Sequence, residues 1–343
     1  MLVQPGFFDL DDRYKKLNER DRLLDLNAWI DWECFRPTLS RVKEKERKSN
    51  AGRKGFDVVL MFKVLVLQHL YNISDDETEY QIRDRYSFCR FLGLAPEDKV
   101  PDAKTIWLFR EHLVRLELMQ ALFDDFNHQL DQRGYKAQQG QIVDASFVDV
   151  PRQRNTREEN DQIKAGQSPA RFQDKAHVGA QKDTDARWAK KNQQTHYGYK
   201  NHAVVDNKYK LIRNFQITSA EVHDSQVFVE LLTENGCKDV WADSAYRSEA
   251  AEEALADKRY RSHVHKKGGR NKPLSEADKQ ANKCKSKVRA RVEHVFGSIS
   301  NEQGGLYFRV IGLARIGVKI AMMNVVYNMR RFVTLHRAHV CAC

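Results

Sequence analysis

The amino-acid sequence predicts a mixed α/β fold preceded by an all-helical N-terminal domain. Two observations lead to this prediction. Apolar residues recur at helical spacing through residues 55–133, and beyond residue 140 the pattern changes to the short apolar runs that are typical of strands. The order of elements predicted for this second part is β-β-β-α-β-α-β-α, which is typical of a mixed sheet flanked by helices.

The composition indicates a globular protein with a polyanionic partner. The chain has 343 residues, of which 41% are hydrophobic, so it is long enough for two domains, or for one large domain with an appendage. It contains 58 Lys and Arg against 47 Asp and Glu, a net charge of +11, and nucleic acid is the default partner for such an excess. A basic enzyme with a solvated surface is the alternative reading.

The sequence composition also argues against several classes of protein. No run of apolar residues approaches the ~18 that a membrane helix needs, and the chain starts with an acidic stretch rather than a basic and apolar leader. The six cysteines show no Cys-x-x-Cys spacing, so we expect reduced thiols and no disulfide framework. These features predict a cytoplasmic protein, associated with the nucleoid, that has no membrane partner.

The first elements are expected to be helical. Residues 1–54 form a peripheral arm in which residues 21–32 have helical apolar spacing. In residues 56–71 apolar side chains surround the helix almost completely, which predicts a buried helix. This helix opens a helical domain, residues 55–135, that either reads DNA, mediates dimer contacts or serves only as a folding module.

Helix caps define the rest of that domain. Ser74 is followed three residues later by Glu77, a capping box that predicts a helix continuing to Phe91. Asp102 is expected to cap a longer helix that fades near Gly134.

Residues 140–336 are expected to form the α/β domain. Its predicted strands are residues 141–145 with a continuation at 147–150, a hairpin of 197–205 and 209–218, and the short runs 240–242 and 263–265. Its predicted helices are residues 227–232, 248–256, 288–299 and 316–335.

Two basic segments interrupt this domain, and a short tail follows it. Residues 151–195 contain ten Lys and Arg against six acids, and their length is typical of a functional or mobile loop. Residues 258–291 contain thirteen Lys and Arg against only two acids. In the tail, residues 337–343, Cys341 and Cys343 could bind zinc together with His336 and His339, but a frayed chain end is the simpler reading.

Three carboxylates stand where metal chemistry is expected. Asp144 ends the apolar run Ile-Val-Asp, and Asp243 follows the run Val-Trp-Ala. Charged carboxylates in such runs are unfavourable unless they are paired or bind a cation, and carboxylate oxygens suit Mg²⁺ or Mn²⁺. Glu293 lies beside the apolar stripe of its helix, one turn after Arg289. Three such acids could hold the two cations of a phosphoryl-transfer site, although caps and salt bridges would also explain each acid by itself.

The surrounding motifs resemble those of the bacterial DDE transposases of insertion sequences, in the branch conventionally numbered five. The similarity lies in Asp144 within Ile-Val-Asp-Ala-Ser, residues 196–202 (His-Tyr-Gly-Tyr-Lys-Asn-His), Asp243 within Ala-Asp-Ser-Ala-Tyr, and Arg289-x-x-x-Glu293-His-x-Phe-Gly. The helical part of the chain, from residue 53 through Trp107, is also similar to the N-terminal domain of these proteins.

The resemblance implies an RNase H-like catalytic core that cuts double-stranded DNA at terminal inverted repeats and joins the freed 3′ ends to a target DNA. It implies that Asp144, Asp243 and Glu293 are the catalytic, metal-binding triad, with Mg²⁺ as cofactor and Mn²⁺ as a substitute. Because two DNA ends must be brought together, a homodimer or larger assembly is expected. Ser286 and Ser300 stand where the family signature has Tyr and Lys, so no DNA contact is assigned to them.

Further residues are candidates for DNA contacts. Lys200 and His202 share one face of a strand, and Trp188 could stack on an unpaired base. Arg289 and three more cations of the basic segment are expected to track the phosphate backbone: Lys285, Lys287 and Arg291. Two alternatives remain open, namely a nuclease with the same core that cuts without strand transfer, and a non-catalytic DNA-binding relative.

Overall fold

The computed structural model describes residues 15, 21–43, 55–95, 97–191, 193–269 and 273–340. The chain divides into two compact units, one that combines the residues up to Gln129 with those from Met329 onwards, and one that spans Leu130–Asn328. Residues 44–54 of the predicted arm, and Cys341 and Cys343 of the possible zinc site, lie outside the described residues.

The first unit is helical. Asp57 caps the buried helix by accepting hydrogen bonds from the backbone N–H groups of Val59 and Leu60, at 2.9 and 3.2 Å, and Asn72 ends it in a left-handed conformation. The apolar pattern of residues 56–71 therefore predicted this helix correctly. The helices that lie wholly or largely in this unit are α1 (Arg22–Trp29), α2 (Arg36–Ser40), α3 (Val58–Tyr71), α4 (Asp75–Asp84), α5 (Tyr86–Leu92), α6 (Ala103–Arg115) and α7 (Met119–Gln132).

Two of the predicted helices are each divided in the structure. The capping box at Ser74 does begin α4, but Arg85 has an extended backbone that separates α4 from α5. The Arg85 guanidinium lies over the rings of Tyr71 and Phe88, a tertiary contact that accompanies the break. Asp102 caps α6 as expected, and the helix then ends before a turn in which Glu117 has a φ of 50°. No proline or glycine marks either break, so spacing alone could not reveal them.

The second unit contains a six-stranded mixed sheet. Its strands are β1 (Gln141–Asp149), β2 (Arg187–Lys191), β3 (Gln194–Asp206), β4 (Ile212–Ser219), β5 (Asp239–Trp241) and β6 (Arg261–Ser262). Its helices are α8 (Arg157–Lys164), α9 (Ala170–Asp174), α10 (Ala176–Gly179), α11 (Asp224–Leu231), α12 (Glu249–Asp257), α13 (Glu276–Gln303) and α14 (Leu313–Val340), the last of which continues into the first unit.

The strand order identifies the core. The sheet runs β4-β3-β1-β5-β6, in which β1, β3 and β4 are antiparallel neighbours and β5 and β6 are parallel to β1. This arrangement, an antiparallel meander extended by two parallel strands, is the topology of an RNase H-like sheet, and it confirms the predicted fold class. Strand β2 pairs with the first part of β3 and was not predicted.

Helices cover both faces of the sheet. One face packs against α11 and α12 through a core that includes Val143, Val204 and Phe228. The other face meets α14, where the amides of Asn201 and Asn324 are hydrogen-bonded at 2.9 Å. None of the helices in the described part of the chain combines the length and apolar character needed to span a bilayer.

The two basic segments are more ordered than the sequence predicted. The first contains α8, α9, α10 and β2. The second contains β6, and from Glu276 onwards it forms the N-terminal half of α13, whose N-cap is Ser275. Helix α13 is 28 residues long, more than twice the length predicted for it. The apolar stripe that guided the prediction covers only the half of the helix that packs on the sheet.

Candidate functional site

Asp144 lies within β1, directly after the fully buried Ile142 and Val143. Its Oδ1 accepts a hydrogen bond from the backbone N–H of Ala145 at 2.9 Å. Burial raises the pKa of this carboxyl above its ordinary value, and the positive charge of Arg289 opposes that effect without cancelling it. A carboxyl group in such a position is stabilised in its ionised form by a nearby cation.

Asp243 lies two residues after the end of β5, the parallel neighbour of β1. Ile142 and Trp241 are register partners, and Asp144 and Asp243 each lie two residues further along their strands. Equivalent positions of adjacent parallel strands lie side by side, so the two acids belong to the same region. The Asp243 side chain also caps the short 3₁₀ turn that begins at Ser244.

Arg289 links Asp243 to Glu293. Helix α13 packs against β1 and β5. From this helix, the guanidinium of Arg289 lies 3.1 Å from Oδ2 of Asp243 and 3.8 Å from Oε1 of Glu293. Burial would raise the pKa of Asp243, but the charge of Arg289 and hydrogen bonds outweigh it and hold that pKa below its ordinary value. Part of the excess negative charge of this region is therefore balanced by one side chain of the protein itself.

The three acids provide the ligand type that a hard divalent cation prefers. Among the described residues, no group of three or more His, Cys, Asp or Glu side chains is arranged so that it could hold a metal ion as it stands. The side chain of Glu293 is 66% exposed, so it has space to turn, whereas that of Arg289 is only 19% exposed. The donor set fits Mg²⁺ or Mn²⁺, on the condition that Arg289 gives up its contacts with Asp243 and Glu293.

Comparison with known protein families shows which family this chain belongs to. A family model described as a transposase DDE domain matches residues 135–329, and a model described as a transposase domain (DUF772) matches residues 11–112. The first match alone covers more than half of the chain. The chain belongs to the DDE transposase family. It is therefore a transposase, an enzyme that acts on DNA, and transposases with this domain generally use divalent metal ions.

A comparison with solved structures finds a similarity to a piggyBac transposase chain. That chain is part of a cryo-EM structure of the piggyBac transposase synaptic complex with hairpin DNA. The sequence identity is 14% and the TM-score is 0.46, with 92% of this chain and 75% of that chain covered.

Lys200 and His202 of the transposase lie in its interior. The Lys200 Nζ donates hydrogen bonds to Asp224 Oδ1 at 2.8 Å and to the carbonyl oxygen of Val222 at 2.7 Å. The His202 Nε2 is 2.9 Å from the hydroxyl of Thr218, and burial lowers the pKa of His202 to about 4. Both residues were expected to contact DNA, and either would have to be uncovered before it could do so.

Strand alternation explains this placement. Residues 200, 202 and 204 share one face of β3, and Val204 belongs to the core beneath α11. Ala203, the register partner of Asp144, lies on the opposite face, which is the side of Asn201 and α14. The sequence showed correctly that Lys200 and His202 share a face, but the tertiary structure alone shows that α11 covers it.

Tyr246 and Asp224 are two site residues that sequence reasoning missed. The Tyr246 side chain is fully buried, and its hydroxyl has no hydrogen-bond partner among the described residues. Burial raises the pKa of this phenol well above its ordinary value, and the charges of Asp144, Asp224 and Asp243 raise it further. The phenol and the three carboxylates therefore share one neighbourhood. Tyr246 stands within the motif Ala-Asp-Ser-Ala-Tyr, which was the one available signal; Asp224 offered none.

The basic side chains of α13 differ in whether they already donate hydrogen bonds within the protein. Arg291 donates to the backbone and side-chain oxygens of Asn207 at 2.8 and 2.6 Å, and Lys285 donates to the carbonyl oxygen of Val264 at 2.9 Å. Burial lowers the pKa of Lys285. Lys287 is exposed and has no partner among the described residues. Of these three candidates for phosphate contacts, Lys287 is the one whose charge is not already engaged.

Trp188 lies on β2 with 49% of its surface exposed. Its ring contacts that of Tyr197, with 4.8 Å between the centroids, and the Arg152 guanidinium lies over it at 5.5 Å. The residue thus contacts the domain while about half of its surface stays exposed.

Proposed function

We propose that this transposase cuts DNA at the terminal inverted repeats of an insertion sequence of the branch numbered five, and joins the freed 3′ ends to target DNA. One observation supports this most strongly. Asp144 and Asp243 follow register partners on adjacent parallel strands, and Arg289 connects Asp243 to Glu293. This arrangement brings acidic side chains of β1, of the segment after β5 and of α13 into one region of an RNase H-like sheet, in a protein whose family acts on DNA.

In this proposal Asp144, Asp243 and Glu293 hold two Mg²⁺ ions, with Mn²⁺ as a substitute. When bound, such ions activate the attacking oxygen and stabilise the charge on the leaving oxygen of a phosphodiester. The carboxylates contribute by remaining ionised and by fixing the positions of the cations. Asp144 depends most on this pairing because its burial opposes ionisation.

Arg289 has two successive roles. Without metal, it balances the charge of Asp243 and Glu293. If cations were bound by the three carboxylates, the guanidinium of Arg289 would be available to a phosphate of the DNA, for which its planar donor geometry is well suited. It is therefore both a substitute cation and a DNA contact.

The DNA is expected to follow the basic surface of α13. Lys279, Lys283 and Lys287 are spaced four residues apart, so they lie along one face of this helix, and all three are exposed. Arg291, four residues after Lys287, extends that face, and Trp188 offers a stacking surface. Lys285 lies on the other side of the helix, where it donates to the carbonyl oxygen of Val264. Because two DNA ends must meet, the transposase works as a dimer or larger assembly, bound to DNA at the nucleoid in the cytoplasm. The helical N-terminal unit either reads the repeats or provides dimer contacts.

The test is a strand-cleavage and strand-transfer assay with the purified protein and DNA carrying the element ends. Asp144→Asn, Asp243→Asn and Glu293→Gln are each expected to abolish cleavage and joining while DNA binding is retained. They should also weaken Mn²⁺ binding, measured by electron paramagnetic resonance. Asp174→Asn is the matched control, since Asp174 is exposed on α9 and is expected to leave every activity unchanged.

The same assay separates the alternatives. Pre-cut ends that are never joined, together with normal cleavage, would identify a nuclease without strand transfer. A protein that binds DNA equally well before and after Asp144→Asn, and cuts in neither case, would be a non-catalytic relative.

A further inference from the structure

A cleft of about 360 Å³ lies beside the end of β1. Three segments form it, namely residues 150–153 after β1, residues 178–183 and residues 309–311. Hydrogen bonds between Asp149 and the backbone of Leu306 and Phe308, at 2.8 and 3.0 Å, bring the last segment alongside the first. Asp149 is five residues from Asp144 on the same strand, so the cleft begins about 17 Å from the proposed site, a length of about five base pairs of DNA.

The cleft has an excess of positive charge. It is lined by Arg152, Lys182 and Arg309 against a single carboxylate, Asp183. The charge of Asp183 is already stabilised, because its oxygens accept hydrogen bonds from the Tyr199 hydroxyl at 2.7 Å and from three backbone N–H groups. Arg152 and Arg309, by contrast, have neither a carboxylate nor a hydrogen-bond acceptor among the described residues. Two free guanidinium groups at one cleft are suited to a phosphate.

The rest of the cleft suits the remainder of a nucleotide. Its wall includes five apolar side chains, those of Val150, Pro151, Val178, Val310 and Ile311. Between them, the Oε1 atom of Gln153 is buried and has no donor within the described part of the chain. A buried amide oxygen without a partner is unfavourable, and an N–H group of a base would satisfy it. Apolar walls with a few placed polar groups are typical of small-molecule sites of this volume.

We propose that this cleft binds one nucleotide of a DNA strand. The phosphate contacts Arg152 and Arg309, the sugar and base lie against the apolar wall, and an N–H group of the base donates to Gln153 Oε1. The ring of Trp188 holds the Arg152 guanidinium from the side. The proposal rests on the proposed function only in taking DNA as the ligand, and it assigns to residues 150–153 and 309–311 a role that is separate from the chemistry.

The experiment measures binding of a fluorescein-labelled single-stranded oligonucleotide, and of the corresponding duplex, by fluorescence anisotropy in EDTA. The variant Arg152→Gln/Arg309→Gln is expected to bind single strands more weakly, with the slope of log affinity against log salt reduced by about 0.7, because the contact with one phosphate is lost. Arg154→Gln is the matched control, because Arg154 is exposed in the same segment but does not line the cleft. It should leave the slope unchanged, because it removes no phosphate contact of the cleft.

Val178→Phe tests occupancy without changing charge, since the larger side chain fills the cleft. It should weaken single-strand binding at least as much as it weakens duplex binding, with an unchanged thermal melting curve. If that variant fails to fold, Gln153→Glu replaces it, because a carboxylate in the cleft would repel a phosphate. Normal single-strand binding by either folded variant would overturn the proposal, even if the arginine variant bound more weakly.

Omitting divalent ions keeps this test independent of the proposed chemistry. Asp144→Asn should bind like the unmodified protein here, and it should fail only in the cleavage assay. If the carboxylates are wrongly assigned, the error appears in the cleavage assay and these binding curves do not change. If the cleft is wrongly assigned, the error appears in the binding curves and cleavage by the unmodified protein does not change.

Discussion

Replacing Lys200 by Met tests whether this lysine stabilises the fold or contacts DNA. The substitution keeps a side chain of similar length and removes the ammonium group, which donates to Asp224 and to the Val222 carbonyl. The side chains of Lys200 and Asp224 are only 9% and 14% exposed, so the variant leaves a carboxylate buried without its main partner. Removing one member of a buried ion pair destabilises a protein by about 3–5 kcal/mol.

The magnitude can be expressed as a melting temperature. For a domain of about 200 residues, 1 kcal/mol corresponds to roughly 2–4 °C, so Lys200→Met should lower Tm by at least about 6 °C. Differential scanning calorimetry measures this directly. Lys287→Met is the matched control, since Lys287 is exposed and unpaired, and its replacement should change stability by no more than ~0.5 kcal/mol.

A second readout reports on the local charges. The pKa of His202 is lowered by burial to about 4; the charge of Asp224 raises it and that of Lys200 lowers it further. Lys200→Met should therefore raise the pKa of His202, which NMR titration of the imidazole can detect. A variant that melts within about 2 °C of the unmodified protein but loses DNA affinity would refute this reasoning and assign Lys200 to the DNA interface.

Four further outcomes follow from the structure. The pKa of His202 is about 4 in the folded protein against 6.5 in the unfolded chain, so the unfolded chain binds more protons between these pH values. The free energy of unfolding should therefore be highest above pH 6.5 and fall by about 3 kcal/mol as the pH drops to about 4. A His202→Gln variant should not show this decrease. Gly198→Ala should destabilise the protein by more than ~2 kcal/mol, because Gly198 has a φ of 151° and a Cβ there would lie 2.3 Å from a carbonyl oxygen of β1. Gly297 lies within α13 with open space around it, so Gly297→Ala should stabilise the protein by about 0.4–1 kcal/mol, measured by urea unfolding. Equal effects of Gly198→Ala and Gly297→Ala on stability would contradict the reasoning for both glycines. Arg289→Gln should raise the pKa of Asp243 in a carboxyl NMR titration, since burial then acts without its main counter-charge; an unchanged value would show that the ion pair is not formed in solution.

Much of the fold could be predicted because local rules agree with the tertiary structure in most elements. The apolar run of α3, the caps at Ser74 and Asp102, and the hairpin of β3 and β4 all follow from spacing and turn chemistry. The breaks at Arg85 and Glu117 could not be predicted, because no proline or glycine marks them, and β2 could not, because its sequence is mostly polar. The apolar stripe of α13 covers only part of the helix, so its full length could not be predicted from that stripe either.

For the site, the sequence by itself determined which chemistry is available: acidic side chains directly after apolar strand residues, an arginine one turn before Glu293, and an excess of basic residues. These are properties of neighbouring residues in the chain, and periodicity reveals them. Only the tertiary structure decided which groups are neutralised and which are free. Three such features depend on segments remote in sequence: the pairing of Lys200 with Asp224, the contact of Arg289 with Asp243, and the lack of a carboxylate partner for Arg152 and Arg309 within the described part of the chain. The electrostatic potential and the burial at any side chain depend on all the segments that surround it. A local sequence pattern therefore cannot encode them.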